Sequence, residues 1–198
     1  RLATMAQSLD ITRNSISTAL KAYAAGDAFG VAYEFTEFLE VTDDLLEKDG
    51  WPFGGVSDDT LLTLLTLETL AAENSKIAAS NFLSNLKLAA PELRGLGPTT
   101  RFALGMSVKD SEKHLIGKSN GGMMRTALLG LAFPLARSID RQEYVSDLVA
   151  ATHSDAGAIL AAQIAAALFS HAIEEGGAST SEVIEEVLSA AADRKSVV

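Results

Sequence analysis

Cysteine is absent from the 198 residues, which excludes disulfides and thiolate metal sites. With no mark of an oxidising compartment, the cytoplasm is the expected location. Basic residues are in the minority, 16 Lys and Arg against 26 Asp and Glu, for a formal net charge of −10. A chain without a basic face is not built to bind a nucleic-acid backbone, so any anionic ligand must be held locally. Long apolar runs are also missing: the longest, Ala156 to Phe169, is broken by Gln163 and falls short of the roughly 20 residues that cross a bilayer. No basic stretch followed by an apolar run opens the chain, so neither a membrane span nor a signal peptide is expected. The first residue is Arg1, not Met, which points to a fragment or a processed product.

What is present is helical periodicity. The residues are 47% hydrophobic, enough for one sizeable core in a single domain of about 100–200 residues. Ile16, Ala19, Leu20 and Tyr23 share one face of a first helix, whose stripe Gly26 and Gly30 continue. Leu61, Leu62, Leu64, Leu65 and Leu67 are apolar nearly all round and predict a central, buried helix. Asp140 and Glu143 resemble a capping box ahead of Val145, Leu148, Val149 and Thr152. An Ala-rich helix follows from about Asp155 to Glu174, and Ser179 to Glu182 cap a last helix striped by Val183, Ile184, Val187, Leu188 and Ala191. Gly176 and Gly177 separate those two. Pro134 should end or kink a helix begun near Met123. The fold class is all-α, one helical bundle carrying two shaped loops, Glu47 to Asp59 and Gly117 to Gly122.

Those loops carry the residues suited to chemistry. Gly54-Gly55-Val56-Ser57-Asp58-Asp59-Thr60 sets a hydroxyl and two carboxylates side by side before the leucine helix; such hard oxygens suit Mg²⁺ or Ca²⁺. The plainer reading is an N-cap serine with acidic residues complementing the helix dipole. Thr42-Asp43-Asp44 has the same chemistry without the glycine-rich loop and reads as a cap alone. Gly26, Gly30 and Glu34 recur every four residues; on one helical face the glycines would admit another backbone and Glu34 would point into the contact, where desolvation suits acid/base duty. Against that stands Glu34 as a solvated helix-end residue, and Asp27 reads as structural. Gly117-Lys118-Ser119-Asn120-Gly121-Gly122 before Met123 is a glycine-rich loop feeding a helix, a place where backbone N–H groups bind phosphate or simply a tight turn. Glu112 stands where a Walker A motif needs glycine. His153 lies at a helix junction, whereas His114 and His171 lack partners at metal-ligand spacing.

In order, Gly26-Asp27-Ala28-Phe29-Gly30 with Glu34-Phe35, Trp51-Pro52-Phe53-Gly54 with Ser57-Asp58-Asp59-Thr60, Gly97-Pro98-Thr99-Thr100, Ser119-Asn120-Gly121-Gly122-Met123-Met124-Arg125 and Thr152-His153 resemble the ADP-ribosylglycohydrolase family, over about Leu20 to Glu175. The resemblance implies an orthogonal all-α fold with a two-magnesium centre in an ADP-ribose cleft. It implies Ser57, Asp58 and Asp59 as metal ligands, Ser57 standing where threonine is frequent, and Glu34 as the acid/base carboxylate. Gly117, Ser119, Asn120, Gly121, Gly122 and Met123 would line the diphosphate and distal ribose site, with His153 on the same ligand. The implied function is Mg²⁺-dependent hydrolysis of the glycosidic bond of ADP-ribose adducts, on proteins or small molecules. A late Asp-x-Asp-Thr motif usual in the family does not occur in these residues, and the rival expectation is a non-catalytic, crystallin-like or ADP-ribose-binding relic of the same fold.

Overall fold

The computed structural model describes residues 2–34, 42–173 and 178–195. Phe35, Glu174, Glu175, Gly176 and Gly177 of the sequence reading lie outside them. The chain is 69% helical, with no strand among the described residues. Helix α1 runs Leu2–Gly30, α2 Asp58–Leu67, α3 Ser75–Ala89, α4 Pro98–Ala103, α5 Gly121–Thr126, α6 Ser138–Ala150, α7 Ala156–Ala172 and α8 Thr180–Lys195. Short 3₁₀ turns join several of them, notably Glu68–Ala71 after α2 and Ala127–Ala132 after α5.

Local chemistry sets the helix starts. Ser57 caps α2 by accepting the Asp59 amide, Asn74 caps α3 by accepting that of Ile77, and Asp155 caps α7 by accepting those of Gly157 and Ala158. The Ser179–Glu182 box forms as the spacing predicts, with Glu182 accepting from Ser179 N at 2.7 Å. The Asp140–Glu143 box does not: α6 begins at Ser138, and Asp140 is drawn into an ion pair with Arg137 at 2.7 Å. Pro134 kinks no α-helix, because α5 already ends at Thr126 and the chain has tightened to 3₁₀ before it.

The core joins α2, α3, α6 and α7 through Leu62, Phe82, Leu86, Leu129, Val145, Leu148, Val149, Ala162 and Ala166. A satellite of Ala167, Val183 and Val187 seats α8 on α7. Helix α2 is not wrapped in leucine as its sequence suggested: Leu64 is exposed, and the buried positions besides Leu62 are Asp58, Thr60, Thr63 and Thr66. Threonine tolerates this because its hydroxyl finds a partner one turn back, Thr63 on the Asp59 carbonyl at 2.7 Å and Thr66 on that of Leu62 at 2.8 Å. A buried polar residue also stands inside the Ala-rich α7: the Gln163 amide donates to the Gln142 carbonyl and to Ser146 Oγ, so its polar group is satisfied in the interior.

Candidate functional site

The chain between α1 and α2 is irregular because Gly50 and Gly54 hold φ of 75° and 68°, a region costly for any side chain. It delivers Ser57 to the N-terminus of α2 and, on the way, folds Lys48 against Trp51. Opposite stands the last turn of α1. Asp27 binds the incoming strand of chain with both carboxylate oxygens: Ser57 Oγ donates at 2.7 Å and Ser57 N at 2.9 Å, Thr60 Oγ1 at 2.6 Å and Thr60 N at 3.2 Å. Four donors on one carboxylate make a clamp between α1 and α2. Asp27 therefore does structural work, as the sequence suggested, but at the centre of the candidate site.

A cleft of about 450 Å³ opens beside this clamp, lined by Tyr23, Gly26, Asp27, Gly30, Glu34, Ser57 and Asp59. Three acids thus share one opening. Helix α1 ends at Gly30, and Glu34 sits in the turn beyond it. The expected glycine-mediated contact does not form: a Cβ on Gly26 or Gly30 would meet no described atom within 4 Å, since that face borders the cleft. Nor is Glu34 desolvated. Its side chain is 49% exposed, with Lys48 Nζ at 3.3 Å, which matches the solvated helix-end reading.

Asp58 and Asp59 diverge, as neighbours at a helix start must. Asp59 faces the cleft; Asp58 is buried and turned toward Gly95, close enough that a Cβ there would lie 3.0 Å from its Oδ1. Burial foremost, then the Asp59 charge, pushes the Asp58 carboxyl up to about 7. Burial, then Asp27 and Glu34, raises Asp59 to about 6. The Tyr23 phenol is driven to about 12 by burial and by Asp59. Among the described residues no three His, Cys, Asp or Glu side chains converge as a ready-made metal cage. Thr42-Asp43-Asp44, by contrast, is exposed and caps no described helix; Thr42 Oγ1 accepts the Asp44 amide at 3.4 Å and lies 3.3 Å from the Tyr33 hydroxyl.

The second loop is built from beneath. Gly117 adopts φ 78°, and a Cβ there would lie 2.6 Å from Ser154 Oγ. Its amide and the Ser119 hydroxyl both donate to Thr99 Oγ1 at 3.1 Å, while Thr99 donates to the Leu115 carbonyl. The helix starts at Gly121 instead of Met123. Gly122 is needed because a Cβ would lie 2.7 Å from Val149 Cγ1. Its amide donates to His153 Nε2 at 3.2 Å, and Ser119 Oγ lies 3.0 Å from the same nitrogen. His153 is only 1% exposed; burial, then the Arg125 charge, lowers its pKa to about 4. It supports the loop from the inside. Asn120 is exposed, Gly121 and Ser119 are half-buried, and Met123 packs on the core. Helix α5, which this loop opens, packs directly against α2.

A family model described as ADP-ribosylglycohydrolase matches residues 8–197. The chain belongs to the ADP-ribosylglycohydrolase family. No curated relative and no solved structure matches it. Membership makes this an all-α fold of a glycohydrolase type whose substrates as a class carry ADP-ribose, and among the described residues no helix is long and apolar enough to cross a membrane. Thr99 and Lys48 were not singled out by the sequence reading. Thr99 stood within a motif that carried the resemblance, but nothing in its neighbours reveals that a hydroxyl there would gather three partners.

Proposed function

We propose that this ADP-ribosylglycohydrolase hydrolyses the glycosidic bond of ADP-ribose adducts, on proteins or small molecules, with Mg²⁺ bound at the start of α2. The observation that carries the reading is the cleft itself, where Glu34, Asp27 and Asp59 meet Ser57 and Lys48 pairs with Glu34. The donor set suits the ion in kind: hard carboxylate and hydroxyl oxygens, with the Asp58 and Asp59 carboxyls raised first by burial and then by the neighbouring acids. It suits a hydrated ion, since Mg²⁺ takes one or two carboxylates and keeps several waters. Ser57 and Asp59, which line the cleft, would hold it, and Asp58, which turns toward Gly95, would join them only by swinging back. When bound, the ion neutralises charge and orients ribose hydroxyls.

The remaining work falls to this chain's own groups. Glu34, at the open side of the cleft and oriented by Lys48, accepts a proton from water or assists the leaving group at the ribose anomeric carbon. Asp27 keeps the Ser57–Thr60 segment in register with α1. Gly117, Ser119, Asn120, Gly121, Gly122 and Met123 receive the diphosphate and distal ribose through backbone amides and a hydroxyl, with His153 fixing their conformation. A second reading, an ADP-ribose binder without turnover, is favoured by the absence of a converged metal cage among the described residues.

The test is release of free ADP-ribose from an ADP-ribosylated protein, read by chromatography with Mg²⁺ and with EDTA, alongside calorimetry of ADP-ribose binding. Release that needs Mg²⁺ and falls roughly 100-fold or more in Glu34→Gln supports hydrolysis. Binding without release supports the second reading, and a protein that does neither refutes both.

A further inference from the structure

Among the described residues, one buried charge next to the Gly117–Met123 loop has no partner of opposite sign. Arg125, on α5, is 1% exposed. Its guanidinium stacks 4.1 Å over the Phe82 ring, and Nη2 donates to the Leu148 carbonyl at 2.7 Å and to Thr152 Oγ1 at 3.0 Å. Among the described residues Nη1 has no hydrogen-bond partner and no carboxylate pairs with the group. Burial lowers its pKa only to about 9, so it stays charged at neutral pH. A cation held this way stabilises a core less well than an apolar side chain of similar size. What an apolar residue cannot supply is the directed bond to Thr152.

That bond continues into the loop. Thr152 Oγ1 lies 2.8 Å from His153 Nδ1, and on the far side of the ring the Gly122 amide points at Nε2 from 3.2 Å. Two N–H groups cannot share a hydrogen bond, so Nε2 must present a lone pair to Gly122 and the ring proton must reside on Nδ1, donated to Thr152. Thr152 Oγ1 then accepts twice, from Arg125 and from His153. The Arg125 charge also opposes a second proton on the ring; Asp155, the nearest acid in sequence, is engaged with the Gly157 and Ala158 amides.

We propose that Arg125 is a positioning residue: through Thr152 it fixes His153 as the neutral Nδ1–H imidazole, whose Nε2 lone pair holds the Gly122 amide in the conformation that receives the ligand. The last clause rests on reading Gly117–Met123 as the ADP-ribose loop; the chain from Arg125 to Gly122 does not.

Nitrogen-15 NMR of the ring in the full chain separates the two. Substituting His114 and His171 assigns the His153 signals. The wild-type ring is expected as the Nδ1–H tautomer and uncharged down to about pH 5. Thr152→Val, which keeps shape and removes the relay oxygen, should give a mixed tautomer and weaken ADP-ribose binding by roughly 10-fold, the loss of one well-placed hydrogen bond. Arg125→Met should move the ring's titration midpoint toward the ordinary value of about 6.5, and Arg125→Lys should restore the low midpoint by restoring the charge. If Arg125→Met does not fold, Thr152→Val still decides. An Nε2–H tautomer in the wild type, or a ring unchanged in the folded variants, overturns the proposal. The expected ring behaviour in a protein that binds no ADP-ribose would leave the positioning chain standing and remove the ligand reading.

Discussion

At the scale of single residues, the carboxylates at the start of α2 control how stability responds to pH. Asp58 is raised from about 3.8 to about 7, first by burial and then by Asp59. Its contribution is therefore fully present below about pH 4 and is lost as pH rises through 7, because the folded state binds the proton more tightly than the unfolded chain. In EDTA, Asp58→Asn should gain on the wild type between pH 4 and 7, by up to a few kcal/mol at about 1.4 kcal/mol per pKa unit. Thermal melts at matched pH measure it, and a difference flat with pH would mean that Asp58 is ionised in the metal-free fold. His153 runs the other way, lowered to about 4, so its neutral burial adds stability above about pH 6.5 that fades toward pH 4; comparing variant with wild type cancels that slope. The sequence placed Asp58 and Asp59 at a helix start but not on different sides of it. Asp58 turns toward Gly95, which is distant in sequence, and a Cβ there would crowd its carboxylate.

At the scale of elements, glycines have opposite meanings that spacing alone does not distinguish. Gly26 and Gly30 look like a packing motif, yet they face the open cleft. Gly130, which no motif drew out, sits where the 3₁₀ turn Ala127–Ala132 crosses α7, and a Cβ there would intrude on the Ala166 carbonyl and lie 3.0 Å from Phe169 Cβ. Gly26→Ala should raise stability by about 0.5–1 kcal/mol through helix propensity. Gly130→Ala should cost about 3 kcal/mol by prising the turn from α7. Denaturant titration of both variants checks the contrast, and equal effects would refute the assigned packing. The Ser179–Glu182 box was legible because its reciprocal bonds are local. The Asp140–Glu143 box was misleading because Arg137, just outside the pattern, competes for Asp140.

At the scale of the molecule, a formal charge of −10 repels a dianionic ligand at long range even if the loop attracts it locally. Raising salt from about 10 mM to about 150 mM shortens the screening length to about 8 Å and should speed association of a fluorescent ADP-ribose analogue about two- to threefold at fixed Mg²⁺; stopped-flow traces that slow with salt would show that a local positive field prevails. Composition and periodicity by themselves determined the all-helical class, since apolar stripes at helical spacing admit no sheet, and the ordered motifs determined the family. They also marked the stretches around Gly50, Gly54 and Gly117 as loops, and there these glycines hold backbone angles that side chains resist. Only the tertiary structure decided that Asp27 clamps two helices, that Thr99 gathers the second loop, and that Arg125 reaches His153 through Thr152. Each of these rests on hydrogen bonds between residues 18 to 33 apart in sequence, and a side chain's partner at that separation is set by how the helices pack, not by the residues on either side of it.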